Sequence, residues 1–156
     1  MTMTYRVVVP LVALLSIAVA AGAAEDKLAT TLRGVVESNV KAYDAENPDA
    51  VMSTIHTRSP EYDSTKAALP QQFSEEYLNV QLVDFRYMGH DDEFAIARVK
   101  TKITGPPGGA FQDNVIDSVM LFHREGALWK LWSDQVLGVD FEQKVGSVTP
   151  NYPVPK

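Results

Sequence analysis

Chemistry in this chain has to come from three histidines, His56, His90 and His123, from scattered carboxylates, and from a few hydroxyl and amide side chains, because its 156 residues include no cysteine. Without thiols there is no disulfide, no thiolate nucleophile and no cysteine metal site. Abstracting a proton beside a carbonyl needs a base within hydrogen-bond reach and a donor for the developing oxyanion. His56 falls at the expected end of a short helix. It reads either as such a base at a pocket mouth or as a ring stabilising the helix C-terminus. Asp63 reads either as a pocket carboxylate or as a helix cap. His90 sits in a turn beside Asp91 and Asp92 and reads as solvated surface. The histidines lack metal-ligand spacing, and Asp91-Asp92-Glu93 lacks the twelve-residue calcium pattern, so no metal and no cofactor is expected. Gly105-Pro106-Pro107-Gly108-Gly109 has no Lys-Ser/Thr ending and is a hairpin connection rather than a phosphate loop.

The remaining polar candidates lie on the stretch from Asn114 to Leu137, two apolar runs flanking Arg124-Glu125-Gly126-Ala127, which reads as a long antiparallel hairpin. A two-residue tip at Glu125-Gly126 or at Gly126-Ala127 gives the same pairing parity. One face then holds Ile116, Ser118, Met120, Phe122, Trp129, Leu131, Ser133 and Gln135, and carries no charge. The other holds Asp117, Val119, Leu121, His123, Lys130, Trp132 and Asp134. Burying an unpaired charge is costly, so the uncharged face is expected to be concave and covered. Ser118, Ser133, Gln135 and Trp129, with Met120, Phe122, Tyr43 and Tyr62, read equally as a mostly apolar cavity with a few polar groups or as a filled core. His56, Tyr62, Ser118, Trp129, Ser133 and Gln135 are the expected ligand-binding set; no catalytic residue is assigned. His123 and Asp117 fall on the side away from that pocket. Val119, Leu121 and Trp132 leave the outer face more apolar than solvent exposure requires, which a dimer contact explains.

The elements that must position these residues follow from periodicity. Leu28, Leu32, Val35, Val36, Val40 and Tyr43 recur at steps of three and four, predicting a helix over Glu25 to Glu46. Asn47-Pro48-Asp49 starts a second, short helix ending near His56, and Asp63 or Ser64 caps a third that Pro70 limits. From Tyr77 the period becomes strand-like: Tyr77 to Met88, the turn Gly89 to Asp92, then Phe94 to Thr104, whose Ala95, Ala97 and Val99 oppose a cationic face with Arg98, Lys100 and Lys102.

The ends and the charge bound the setting. Arg6 precedes an apolar run from Val7 to Ala20, and Ala21-Gly22-Ala23 is a signal-peptidase pattern, so cleavage after Ala23 is expected. The run contains Pro10 and is shorter than the roughly 20 residues that span a bilayer. The expected divisions are a signal peptide at 1–23, a domain at 24–142 and a proline-containing tail at 143–156. This predicts export, periplasmic or secreted, with no membrane attachment after signal removal. Loss of Arg6 takes the net charge from −6 to −7, which argues against nucleic acid.

Helices followed by a curved antiparallel sheet, with Ile55-His56, Asp113 to Ser118, and the closing run His123-Arg124-Glu125-Gly126-Ala127-Leu128-Trp129-Lys130-Leu131-Trp132, resemble the nuclear transport factor 2-like (NTF2-like, SnoaL-like, cystatin-like) cone fold over roughly Asp26 to Glu142. The resemblance implies an α+β domain, two to three N-terminal helices packed on a strongly curved sheet. It also implies homodimers through the convex sheet face. This superfold hosts isomerases, dehydratases, cyclases and scaffold subunits, so it does not select a reaction. The expectation is an exported domain that binds a small apolar or aromatic ligand, or serves as a dimeric scaffold. The alternative is an isomerase- or dehydratase-type enzyme using His56 or Asp63.

Overall fold

The computed structural model describes the backbone of residues 12–75 and 78–142 and the side chains of residues 25–74 and 78–142. Residues 1–11, 76–77 and 143–156 lie outside it, and with them the whole of the expected tail and parts of the expected signal peptide and first strand. The order is α1 (Val12–Asp44), α2 (Pro48–Thr54), α3 (Tyr62–Glu75), β1 (Asn79–His90), β2 (Phe94–Thr104), β3 (Asn114–Glu125) and β4 (Leu128–Phe141). The strands form one antiparallel sheet in the order β1-β2-β3-β4. This is the expected α+β architecture, three helices against a four-stranded meander.

Helix α1 extends back through Val12, well before the expected Glu25, because the apolar run preceding it has nothing to break the helix after Pro10. Among the described residues no helix is long and apolar enough to cross a membrane. Its stripe of Leu32 and Val36 is fully buried against Ala95, Ala97 and Val99 of β2, Met120 and Phe122 of β3, and Trp129 of β4. The Asn47 side chain caps α2 by accepting from the Ala50 N–H at 3.0 Å. Helix α2 ends at Thr54 with Ile55 as its C-cap, so His56 stands outside the helix. Helix α3 starts at Tyr62, ahead of the expected caps: the Ser59 hydroxyl accepts from the Glu61 N–H at 3.1 Å, and Asp63 lies in the first turn. Pro70 is accommodated inside this helix. A second core of Ala42, Val51, Met52, Ile55 and Leu69 joins the three helices.

The hairpin tip is Gly126-Ala127, with Glu125 opposite Leu128 and Gly126 in the left-handed region at φ +64°. The sheet's irregularities come from extra residues. The register of β1 against β2 skips Val83 and Met88, and that of β4 against β3 skips Trp132 and Leu137. Each extra residue bends its strand and raises the local twist, which curls the sheet around the helices. Three of the four account for exposed apolar side chains: Val83, Met88 and Leu137 are 56%, 52% and 54% exposed.

Candidate functional site

The bulge at Trp132 decides what faces the cone. Up to Leu131 the ladder follows the parity read from sequence, with Phe122 opposite Leu131 and His123 opposite Lys130. Beyond it, Leu121 pairs with Ser133, Met120 with Asp134, Val119 with Gln135 and Ser118 with Val136. Asp134 therefore joins buried Met120 and Ser118 on the concave side, and Ser133 and Gln135 move to the register of the outer face. The expectation of an uncharged concave face is corrected here: the extra residue exchanges the faces of the residues from Ser133 to Val136, until the second extra residue, Leu137, restores the parity.

The concave side encloses a cavity of about 300 Å³. Asn39, Val40 and Tyr43 come from α1, Ile55, Ser59 and Glu61 from the α2–α3 connection, and Thr65 from α3. The sheet contributes Val80, Thr101, Ile103, Met120 and the β4 segment from Leu131 to Asp134. The wall is mainly apolar with a few convergent polar groups, the usual make-up of a small-molecule site. A second hollow of about 530 Å³ shares Tyr43, Val80 and Ile103 with it and is otherwise lined by Glu46, Gln72, Phe73, Leu78 and Phe111. Though larger, it does not contain Asp134, the carboxyl whose pKa is raised by desolvation.

Asp134 is the chemical centre of the cavity. The residue is solvent-exposed as a whole, yet the atoms packed around its carboxyl desolvate it and raise its pKa. The hydroxyl of Ser118 and the N–H of Gln135 donate to it and partly offset that rise. Tyr43 is also shifted up, first by burial and then by the negative charge of Asp134, so its phenol is held protonated as a hydrogen-bond donor. The site thus combines a carboxylate acceptor with a phenolic donor in an apolar recess. Among the described residues, no group of three His, Asp or Glu side chains converges as a metal site.

His56 is placed differently from the sequence expectation. It is 2% exposed and does not line the cavity. Its Nδ1 accepts from the Arg58 N–H at 3.0 Å, and its Nε2 lies 3.3 Å from the Arg124 carbonyl, to which it donates. Both ring nitrogens are thereby committed to backbone. The ring packs edge-on against His123 and Trp132, with centroids 4.7 and 5.0 Å away, and Phe94 closes the cluster at 4.4 Å from His123. This knot fastens the α2–α3 connection to the sheet edge: the His56 N–H donates to the Leu131 carbonyl at 2.8 Å, and the Ser59 hydroxyl donates to the Trp132 carbonyl at 2.6 Å. Beside it Glu125 accepts from both the N–H and the hydroxyl of Thr57 and pairs with Lys130 at 2.5 Å, which lowers its pKa to about 2.

The other sequence candidates divide. Ser118 is buried behind the cavity wall, where its hydroxyl supports the Asp134 carboxylate, and does not itself line the cavity. Ser133 touches the cavity wall at the bulge, whereas Gln135 is exposed and donates to the Val136 carbonyl at 3.2 Å. Trp129 is buried in the core at the narrow end, under Arg124 at 5.1 Å, away from the cavity. Tyr62 packs against the helix core, and Asp63 is exposed on α3; neither lines the cavity. His123 lies on the outer side with a buried Nδ1 that has no hydrogen-bond partner among the described residues. Asp117 is bound on the same face by Arg98 through two bonds of 2.8 and 2.6 Å. Asn39, Ser59, Glu61, Thr65, Thr101 and Asp134 are the polar cavity residues that sequence reasoning missed. The run Trp132-Ser133-Asp134 contained the signal, since a tryptophan between polar residues fits either face.

Comparison with known proteins agrees with the fold. Solved structures with the same architecture include Bd1075 of Bdellovibrio bacteriovorus (14% identity, TM-score 0.57, 72% of this chain and 40% of that one). An NTF-2-like protein of unknown function from Shewanella oneidensis MR-1 aligns at 11% identity and TM-score 0.54, over 69% of this chain and 96% of that one. A type 2 hexachlorocyclohexane dehydrochlorinase, LinA, aligns at 13% identity and TM-score 0.50, over 81% and 98%. This chain thus spans less than half of the Bdellovibrio protein and nearly all of the other two. At these identities the likeness establishes the NTF2-like fold alone. No curated protein matches the sequence. A family model, that of the anti-sigma-I factor RsgI9 C-terminal domain, matches residues 34–141, more than half of the chain. The chain therefore belongs to the family of the RsgI9 C-terminal domain, built on an NTF2-like cone.

Proposed function

We propose that this domain is a binding module that takes a small, largely apolar molecule into the cone and anchors it on Asp134. The observation that carries the reading is the recess of about 300 Å³ in which the Asp134 carboxyl and the Tyr43 phenol converge among Val40, Ile55, Ile103 and Met120. The family's namesake is an anti-sigma factor, by name a regulator rather than a catalyst, which favours binding over turnover. Thermal-shift and native mass spectrometry against lipids, steroids and aromatic metabolites test it. A ligand that stabilises the wild type and is excluded by Met120→Trp supports the reading; absence of any such ligand overturns it.

A second reading is favoured by the pairing of a carboxylate with a protonated phenol. Asp134 would act as a general base and Tyr43 as donor to an enolate, a role that His56 and Asp63 are not placed to fill. Exchange of α-hydrogens of an enolisable ketone in D₂O, abolished by Asp134→Asn, would establish it. We also propose that residues 1–23 are a removed signal and that the exported domain dimerises through the outer sheet face, where Ile96, Val119 and Leu121 flank the Arg98–Asp117 pair. N-terminal sequencing of the exported protein and light scattering test these two points.

A further inference from the structure

We infer that the cone's ligand carries a cationic nitrogen, an ammonium on an apolar body, and that Asp134 is its counter-ion; the inference rests on the binding reading above. The first ground is the charge of the wall. Among the described residues no lysine, arginine or histidine lines the cavity, and the two charged ones that do, Asp134 and Glu61 at the connection, are both acids. A carboxylate or phosphate ligand would meet like charge with no cation in the wall to neutralise it.

The second ground is what happens when the cavity fills. Solvent now reaches Asp134, and a ligand displaces that solvent. A wholly apolar ligand would leave a carboxylate covered with only Ser118 and the Gln135 N–H as donors, a costly arrangement. An ammonium restores the lost hydrogen bonds and the opposite charge together. Tyr43 fits the same picture: its phenol can accept from a further N–H while its ring walls the apolar part of the ligand.

The probes are 2-phenylethylamine, 2-phenylethanol and 3-phenylpropanoate, which share an apolar body and differ in charge. Binding is followed by calorimetry at pH 7.5 and by the methyl resonance of Met120. The amine is expected to bind about tenfold more tightly than the alcohol, the order of one charge-assisted hydrogen bond, and the carboxylate not at all. Asp134→Asn and Asp134→Ser are expected to remove that tenfold preference, so that amine and alcohol bind the variant alike. If the alcohol or the carboxylate moves the Met120 resonance and binds as well as the amine, the cationic inference falls and the cone remains a binding site. If none of the three perturbs Met120, the cationic inference falls, and the binding reading is decided separately by the lipid, steroid and aromatic-metabolite panel.

Discussion

Asp134 stands opposite Met120 across the β3–β4 ladder, one register step away from where strict alternation would put it. The displacement is caused by Trp132, which has no partner on β3 and leaves the ladder between Leu131 and Ser133. Its side chain packs with His56, His123 and Phe94, so the knot that holds the α2–α3 connection also holds the bulge in place. The result is a carboxyl directed into an apolar recess.

That placement has a thermodynamic consequence. Because the folded-state pKa of Asp134 is raised above 3.8, the native protein binds its proton more tightly than the unfolded chain does. Stability is then lost as pH rises through the window just above that value, and the penalty persists at neutral pH. Asp134→Asn is expected to raise the urea midpoint at pH 7 and to leave it unchanged near pH 3. A destabilised Asp134→Asn at pH 7 would show that the carboxylate is favourably paired in the free protein.

Glu125 has the opposite sign. Its pKa is held at about 2 by Lys130 and Thr57, so its contribution is present above 4.5 and fades as pH falls from there toward 2. Glu125→Gln should cost about 1 kcal/mol at pH 7, the scale of a partly solvated ion pair, and progressively less in acid. An equal cost at pH 7 and at pH 2.5, by chemical denaturation, would contradict the assignment.

His56 is structural. Replacement by Ala leaves the Arg58 N–H and the Arg124 carbonyl without partners and a hole beside Trp132 and His123, a loss of about 3 kcal/mol. His56→Gln keeps a polar group at the site and is expected to retain ligand affinity, since the ring does not line the cavity. Affinity lost from a folded His56→Gln protein would return the histidine to the site.

Much of the fold is written locally. The steps of three and four in α1, the Asn47 cap, and the alternation of Ala95, Ala97 and Val99 all act through near neighbours, and the elements they predict are present. The faces of the hairpin were legible only as far as Leu131, because a bulge is settled by how a whole strand fits its partners and helices rather than by its own residues. Ser118, before the bulge, keeps the concave side that alternation predicts, and Gln135, after it, turns to the exposed side. The role of His56 was hidden for a related reason, since its partners Arg124 and His123 are more than sixty residues away in sequence.

The outer face offers a separate check. With Ile96 38% exposed and Val119 and Leu121 beside it in register, a dimer through this surface would be broken by Val119→Lys. Light scattering should report a dimer for the wild type and a monomer for the variant, and a monomeric wild type would remove the proposal.

The most direct test of the cone as a binding site is a spectrum of protein labelled at its methionine methyls. Met120 lines the cavity, Met52 lies in the helix core and Met88 is exposed on β1. Titration with the lipid, steroid and aromatic-metabolite panel and the three phenyl probes should move the Met120 resonance in a saturable way and leave Met52 and Met88 in place. A saturable ligand that shifts Met88 but not Met120, or no shift of Met120 with any compound, would contradict the account.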